Sequence, residues 1–217
     1  MSTELQAFTS TTDSPAIGTA DTPAAFPGHT SGALLQPRQF TVEEYHRMGE
    51  VGILDSDERV ELLVGEIIKM CPLGYAHIAC VNMLNFLLVT SLGNRAIVSV
   101  QNSVRLNTYS EPEPDVAIFH PPADVYRQRM PAAADVSWLI EVADSSLLKD
   151  IQVKLPLYAA AGIPEVWIVN LVEQRIEVYT QPVNGAYQQQ RSAGPGEAVA
   201  PQTFADVRLS VNQILGL

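Results

Sequence analysis

Lysine is scarce in this chain. Lys69, Lys149 and Lys154 are the only three in 217 residues. Basic residues number 13 against 24 acidic, a formal charge of −11. A protein that grips nucleic acid mainly by neutralising phosphates is usually basic, so any nucleic-acid function must account for the acidic balance. Cysteine is nearly absent. Cys71 and Cys80 fit no CxxC or Cys/His zinc spacing and are expected to be reduced thiols of a cytoplasmic protein. The opening residues lack a basic stretch followed by an apolar one, so no secretory signal is expected. No apolar run reaches the ~18 uninterrupted residues of a membrane helix. The best candidate, residues 78–92, is broken by Asn82, Asn85, Thr90 and Ser91, so no membrane partner is expected. GxGxxG, P-loop, HExxH and GxSxG motifs are all missing.

What remains is 47% hydrophobic and 17% charged, enough to bury one core. Residues 1–37 are rich in Ser, Thr, Ala, Pro and Gly, with no Lys or Arg. A disordered or extended tail is expected there, followed by a single domain over 38–217. Thr41 and Glu44 fit a capping box opening a helix at 42–48, ended by Gly49 and Gly52. Residues 59–70 read as a hairpin turning at Gly65-Glu66. Ile78, Val81, Leu84 and Leu88 recur at helical spacing within a helix over 76–92. Strands are expected at 96–106, 115–119, 136–142, 166–169 and 176–179. A second long helix at 147–161 is capped by Ser145 or Ser146 and kinked by Pro156. Strands mixed with two long helices indicate an α/β or α+β fold. Val166 to Val169 read as central core rather than as a dimer edge.

The chemistry lies in acids on apolar strands. Asp115 opens DVAIF, Glu141 interrupts WLIEVA and Glu61 interrupts VELLV. A buried carboxylate needs a partner. A divalent ion with hard oxygen ligands is one; a solvated strand end or an arginine is the other. Lys154 follows Asp150 by four residues, which fits either an exposed helix pair or a cation aimed back at Glu141. His77, at the start of the first long helix, is the histidine best placed to join an acidic site.

The segments RVELLVGEIIKMCPLGYAHIACVNML, VQNSVRLNTYSEPEPDVAIF and WLIEVADSSLLKDIQVKLPLYAAAGIPEVWIVNL resemble the Uma family of restriction-endonuclease-like proteins, a branch of the PD-(D/E)xK nucleases. The likeness spans about residues 40–182. It implies a central mixed β-sheet flanked by helices. It also implies Mg²⁺ or Mn²⁺ held by Asp115, Glu141 and the backbone carbonyl of Val142, with Glu61 as an auxiliary acid. The superfamily lysine, two residues after the second acid, is replaced here by Ala143, and Lys154 matches a lysine displaced onto the next helix. Gln101 and Asp150 are weaker auxiliary candidates. The implied activity is metal-assisted hydrolysis of a phosphodiester, in DNA, by a homodimer. Metal, dimerisation, or a basic patch from Arg105, Arg127 and Arg129 would offset the acidic charge. The alternative is a non-catalytic nuclease-fold module that binds nucleic acid or a protein partner.

Overall fold

The computed structural model describes residues 37–217, so the expected tail lies outside the described residues. Thr41 caps α1 (Val42–Glu50). Its hydroxyl accepts from the Glu44 amide while the Glu44 carboxylate accepts from the Thr41 amide, the reciprocal box expected. The helix runs through Gly49 and stops one residue before Val51.

The hairpin pairs β1 (Val60–Leu63) with β2 (Glu66–Lys69). Its turn is one residue earlier than expected, at Val64-Gly65, and both residues have positive φ, 51° and 77°. Two such residues match the right-handed twist of a tight hairpin. A side chain at Gly65 is ruled out, because its Cβ would lie 2.5 Å from that of Gln39. The strained Val64 is held by the Ser110 hydroxyl on its amide and the Gln39 amide on its carbonyl.

Next come α2 (Tyr75–Leu92), β3 (Ile97–Val100), β4 (Val116–Phe119) and β5 (Val136–Ala143). The strand expected to reach Leu106 stops at Val100, because Gln101 turns the chain with φ 51°. After β5 the second long helix forms in three pieces: α3 (Leu147–Lys149), a π turn Asp150–Lys154, and α4 (Leu155–Ala160). The loosened stretch expected around Pro156 is that π turn, and it leaves Pro156 at the start of α4, where no amide is needed. Ser146 is not a side-chain cap; its hydroxyl donates to Asp150 Oδ2 at 2.6 Å instead. The chain finishes through β6 (Glu165–Asn170), β7 (Arg175–Val183), β8 (Ala186–Ala193), the short pair β9 (Ala198–Val199) and β10 (Leu209–Ser210), and α5 (Val211–Leu215).

The six-stranded sheet has the order β3-β4-β5-β6-β7-β8. Only β5 and β6 are parallel, joined by the helical crossover that parallel strands require. Trp138, Ile140, Val142, Trp167 and Val169 face α2 and α5. Ala117, Leu139, Ile168 and Tyr179 face Leu155 and Tyr158 of α4. This is the mixed sheet flanked by helices that was expected. Val166 to Val169 are wholly buried in its centre.

Candidate active site

Asp115 lies one step beyond the Val116–Ile140 pair of the β4–β5 ladder, opposite Glu141. Residues opposite each other share a sheet face, so both carboxylates point to the side covered by α4. They are linked through the backbone. The Val142 amide donates to Asp115 Oδ2 at 2.8 Å, and the Asp115 amide lies 3.4 Å from Glu141 Oε2.

The crossover brings Lys154 back over this sheet end. Its ammonium lies 3.1 Å from Glu61 Oε2, 3.2 Å from Glu141 Oε1 and 3.2 Å from the Glu113 carbonyl. Three N–H donors meet three acceptors, which is how a lysine only 2% exposed is tolerated. The hairpin delivers Glu61: Leu62 pairs with Glu111, and the Glu113 amide donates to Glu61 Oε2 at 3.2 Å. Lys149 holds the other Glu61 oxygen at 2.8 Å. Tyr158 O–H donates to Glu141 Oε1 at 2.5 Å. Asp115, Glu141, Lys149 and Lys154 line a cleft of ≈ 190 Å³, bordered by the first turn of α2 and by the loop from Asp144 to Ser146, with Glu61 and Tyr158 behind them.

Burial pushes the Glu141 carboxyl up to about 8, against the pull of Lys154 and helped by the negative Asp150 and Asp115. Burial also acts on Asp115, but His77, the Val142 amide and Lys154 together outweigh it and hold Asp115 below the usual carboxylate range. Burial acts on Glu61 too, and Lys154, Lys149 and the Glu113 amide again prevail. Lys154 would be driven down by burial alone; Glu141, Glu61 and Asp150 raise it above the ordinary lysine value, so it stays charged.

Asp115, Glu141, Lys154 and Glu61 thus converge. His77 joins them, with Nε2 3.1 Å from Asp115 Oδ1 and a buried Nδ1 that has no hydrogen-bond partner. Gln101 reaches Asp115 Oδ1 only at 3.4 Å, a long contact. Asp150 lines the cleft but makes no ion pair with Lys154. In the π turn Lys154 goes to Glu61 and Glu141, while Asp150 takes the Ser146 hydroxyl. The exposed Asp150–Lys154 helix pair is therefore not formed. Of the three arginines of the expected basic patch, Arg105 pairs with Glu43 and Arg129 with Asp135. Three partners were not foreseen: Tyr158, Lys149 and the backbone of Glu113. Tyr158 carried a signal, because it stands four residues after Lys154 on the same helix side.

The donor set fits a hard cation. Asp115 and Glu141 supply carboxylate oxygens at one sheet end. In an extended strand the N–H and C=O of one residue point the same way, so the Val142 carbonyl faces the side where its amide meets Asp115. Among the described residues no three His, Cys, Asp or Glu side chains form a ready metal cluster. Mg²⁺ needs no such cage, because it is often held by one or two carboxylates with water and substrate phosphate completing the shell.

No curated protein matches the chain. A crystal structure of "a putative nuclease belonging to DUF820" from Anabaena variabilis ATCC 29413 superposes with a TM-score of 0.64 at 17% identity, covering 82% of this chain and 98% of that one, and so shares its fold. The Uma2 family profile, described as "Putative restriction endonuclease", matches residues 42–212. That span takes in the hairpin, both acids of the β4–β5 pair and the lysine on the crossover, and this chain belongs to the Uma2 family.

Proposed function

We propose that this protein is a metal-dependent endonuclease that hydrolyses phosphodiester bonds in DNA, with Mg²⁺ or Mn²⁺ as cofactor. The observation that carries the reading is the meeting of Asp115, Glu141 and Lys154 from three separate elements in one cleft. Asp115, Glu141 and the Val142 carbonyl would hold the ion, which when bound polarises a phosphoryl oxygen and lowers the pKa of a coordinated water. The rest is done by the chain's own groups. Lys154 offers a fixed positive charge beside the phosphate to offset the charge that develops there. Glu61 and the Glu113 carbonyl keep its ammonium from swinging away. Tyr158 fixes Glu141 Oε1, leaving Oε2 turned toward Asp115. His77 braces Asp115 Oδ1 from the α2 side.

The test is calorimetric titration of Mg²⁺ and Mn²⁺ into the wild type, Asp115→Asn and Glu141→Gln, followed by cleavage of plasmid DNA with each ion. Metal binding lost in both variants, with cleavage by the wild type alone, is the expected result. Identical metal binding by all three overturns the site. One observation favours a non-catalytic, nucleic-acid- or protein-binding module: Arg105 and Arg129 are spent on carboxylates rather than free for phosphates. Metal binding without cleavage of DNA or RNA would favour it.

A further inference from the structure

Helix α2 is 18 residues long and contains no Asp, Glu, Lys or Arg. One side, through Val81, Leu84, Leu88 and Leu92, is packed into the core. The opposite side is apolar as well. Tyr75 is 95% exposed and Phe86 65%, with Ile78 and Val89 exposed between and beyond them. By length and composition the helix could cross a membrane, yet it lies against the sheet of a protein with net charge −11. A surface helix normally turns charges outward, and a contiguous apolar patch on such a body marks an interaction site.

The pattern of the exposed stripe indicates what covers it. Tyr75, Ile78, Asn82, Phe86 and Val89 stand at −7, −4, 0, +4 and +7 relative to Asn82. The stripe is a palindrome. We propose that α2 is the contact face of a two-fold dimer of this chain, packed antiparallel against the α2 of a second copy with the dyad at Asn82. A two-fold interface must be self-complementary, residue i meeting j and j meeting i. Here Ile78 meets the partner's Phe86, Tyr75 meets the partner's Val89, and the two Asn82 side chains face each other.

Asn82 suits the dyad. An amide carries both donor and acceptor, so two copies satisfy each other. A lone polar residue in an apolar helical seam also fixes register. The area suffices. Tyr75 and Phe86, with Ile78, Val89 and the flanking Met83, give roughly 1,000 Å² over both copies, about the minimum for a specific interface. In this arrangement the two α2 N-termini, each bordering a cleft, lie on opposite sides of the dyad, about 20 Å apart along the helix. Two clefts related in this way match the symmetry of a duplex.

Light scattering and sedimentation of the full chain between 1 and 200 μM test the proposal independently of any activity. The wild type should be dimeric. Phe86→Glu and Ile78→Glu should each weaken association at least tenfold, with unchanged circular dichroism. Register is read by cross-linking in a Cys71→Ser background. Asn82→Cys should form an interchain disulfide on oxidation. Phe86→Cys should not cross-link to itself, but should do so when mixed with Ile78→Cys. A wild type that stays monomeric, including one that instead binds lipid vesicles, overturns the proposal. So does a dimer that survives Phe86→Glu, or a Phe86→Cys chain that cross-links as readily as Asn82→Cys.

Discussion

Two groups of buried carboxylates are held in opposite ways in this molecule. Glu165 and Glu177 have local partners. Glu165 accepts from the Trp167 indole at 2.6 Å and the Gln202 amide at 2.7 Å. Glu177 accepts from Arg175 at 2.8 and 2.9 Å, and from Tyr179 at 2.5 Å. Trp167, Arg175 and Tyr179 each sit two residues away on the same strand, and every oxygen is used. In the cleft, Glu61, Asp115, Glu141 and Asp150 come together from distant parts of the chain around Lys154, with Lys149 at the rim. Acid exceeds base there, and the excess faces an opening. The first arrangement is complete by itself. The second leaves carboxylate oxygens facing the cleft, where the proposed metal would sit, and this separates a structural carboxylate from one available for chemistry.

The sharpest way to break this contrast is to remove the cation from each group. Lys154→Met leaves Glu141 buried with no positive partner and Glu61 with Lys149 alone. Breaking a buried pair in this way costs about 3–5 kcal/mol. Arg175→Met removes a side chain that is itself well exposed, and the cost should stay below about 1 kcal/mol. Urea denaturation of the two variants, without metal, measures the difference. Equal losses would mean that the cleft is as self-sufficient as the β6–β7 acids.

A second test uses the pH dependence of stability, which should differ in sign between Glu61 of the cleft and Glu165 of β6. Glu61 is held below its unfolded value. Its contribution is therefore present above about pH 4.5 and is lost as pH falls through the folded pKa. Glu165 has no cation at its oxygens. Burial raises it, against the Gln202 amide and the Trp167 indole, so its contribution is greatest below about pH 4.5 and is lost as pH rises through the folded value. Denaturation series from pH 3 to 7 should show Glu61→Gln flattening the acid side of the profile. Glu165→Gln should remove a decline on the way to neutrality.

Much of this contrast was legible in the sequence. Asp115 and Glu141 are conspicuous because an acid within DVAIF or WLIEV is costly unless it has a purpose, whereas the β4–β5 register that sets them opposite each other on one face is visible only in the fold. Pro156 announced a disturbed helix, and the capping box announced α1. Other features depend on partners that no local pattern names. Lys149 reaches Glu61 across 88 positions of chain, and Lys154 reaches the Glu113 carbonyl across 41. Tyr158 is harder to read from sequence, because a tyrosine on a buried helix side packs its ring in the same way whether or not its hydroxyl has a carboxylate to serve. The end of β3 at Gln101 was also hidden, since nothing in VQNSV demands a positive φ. The sequence pattern reveals where a charge is out of place, and the fold determines what compensates it.

The smallest expected effect is the most discriminating, because it changes one hydroxyl in each group. Tyr158→Phe and Tyr179→Phe each remove an O–H that donates at 2.5 Å to a buried glutamate. Glu177 keeps Arg175 and the Gln190 amide, so Tyr179→Phe should cost about 0.5–1 kcal/mol. Glu141 Oε1 keeps only a lysine that it shares with Glu61, so Tyr158→Phe should cost about 1–2 kcal/mol. Saturating Mn²⁺ should then narrow the gap, because an ion on Glu141 replaces the lost partner and stabilises the folded state by mass action. The Tyr179→Phe difference should not respond to metal, since Glu177 has no oxygen left to offer. Thermal melts of both variants with and without Mn²⁺ check the two statements together. A metal response at Tyr179→Phe, or none at Tyr158→Phe, would mean that the divided arrangement of acids does not reflect a division of function.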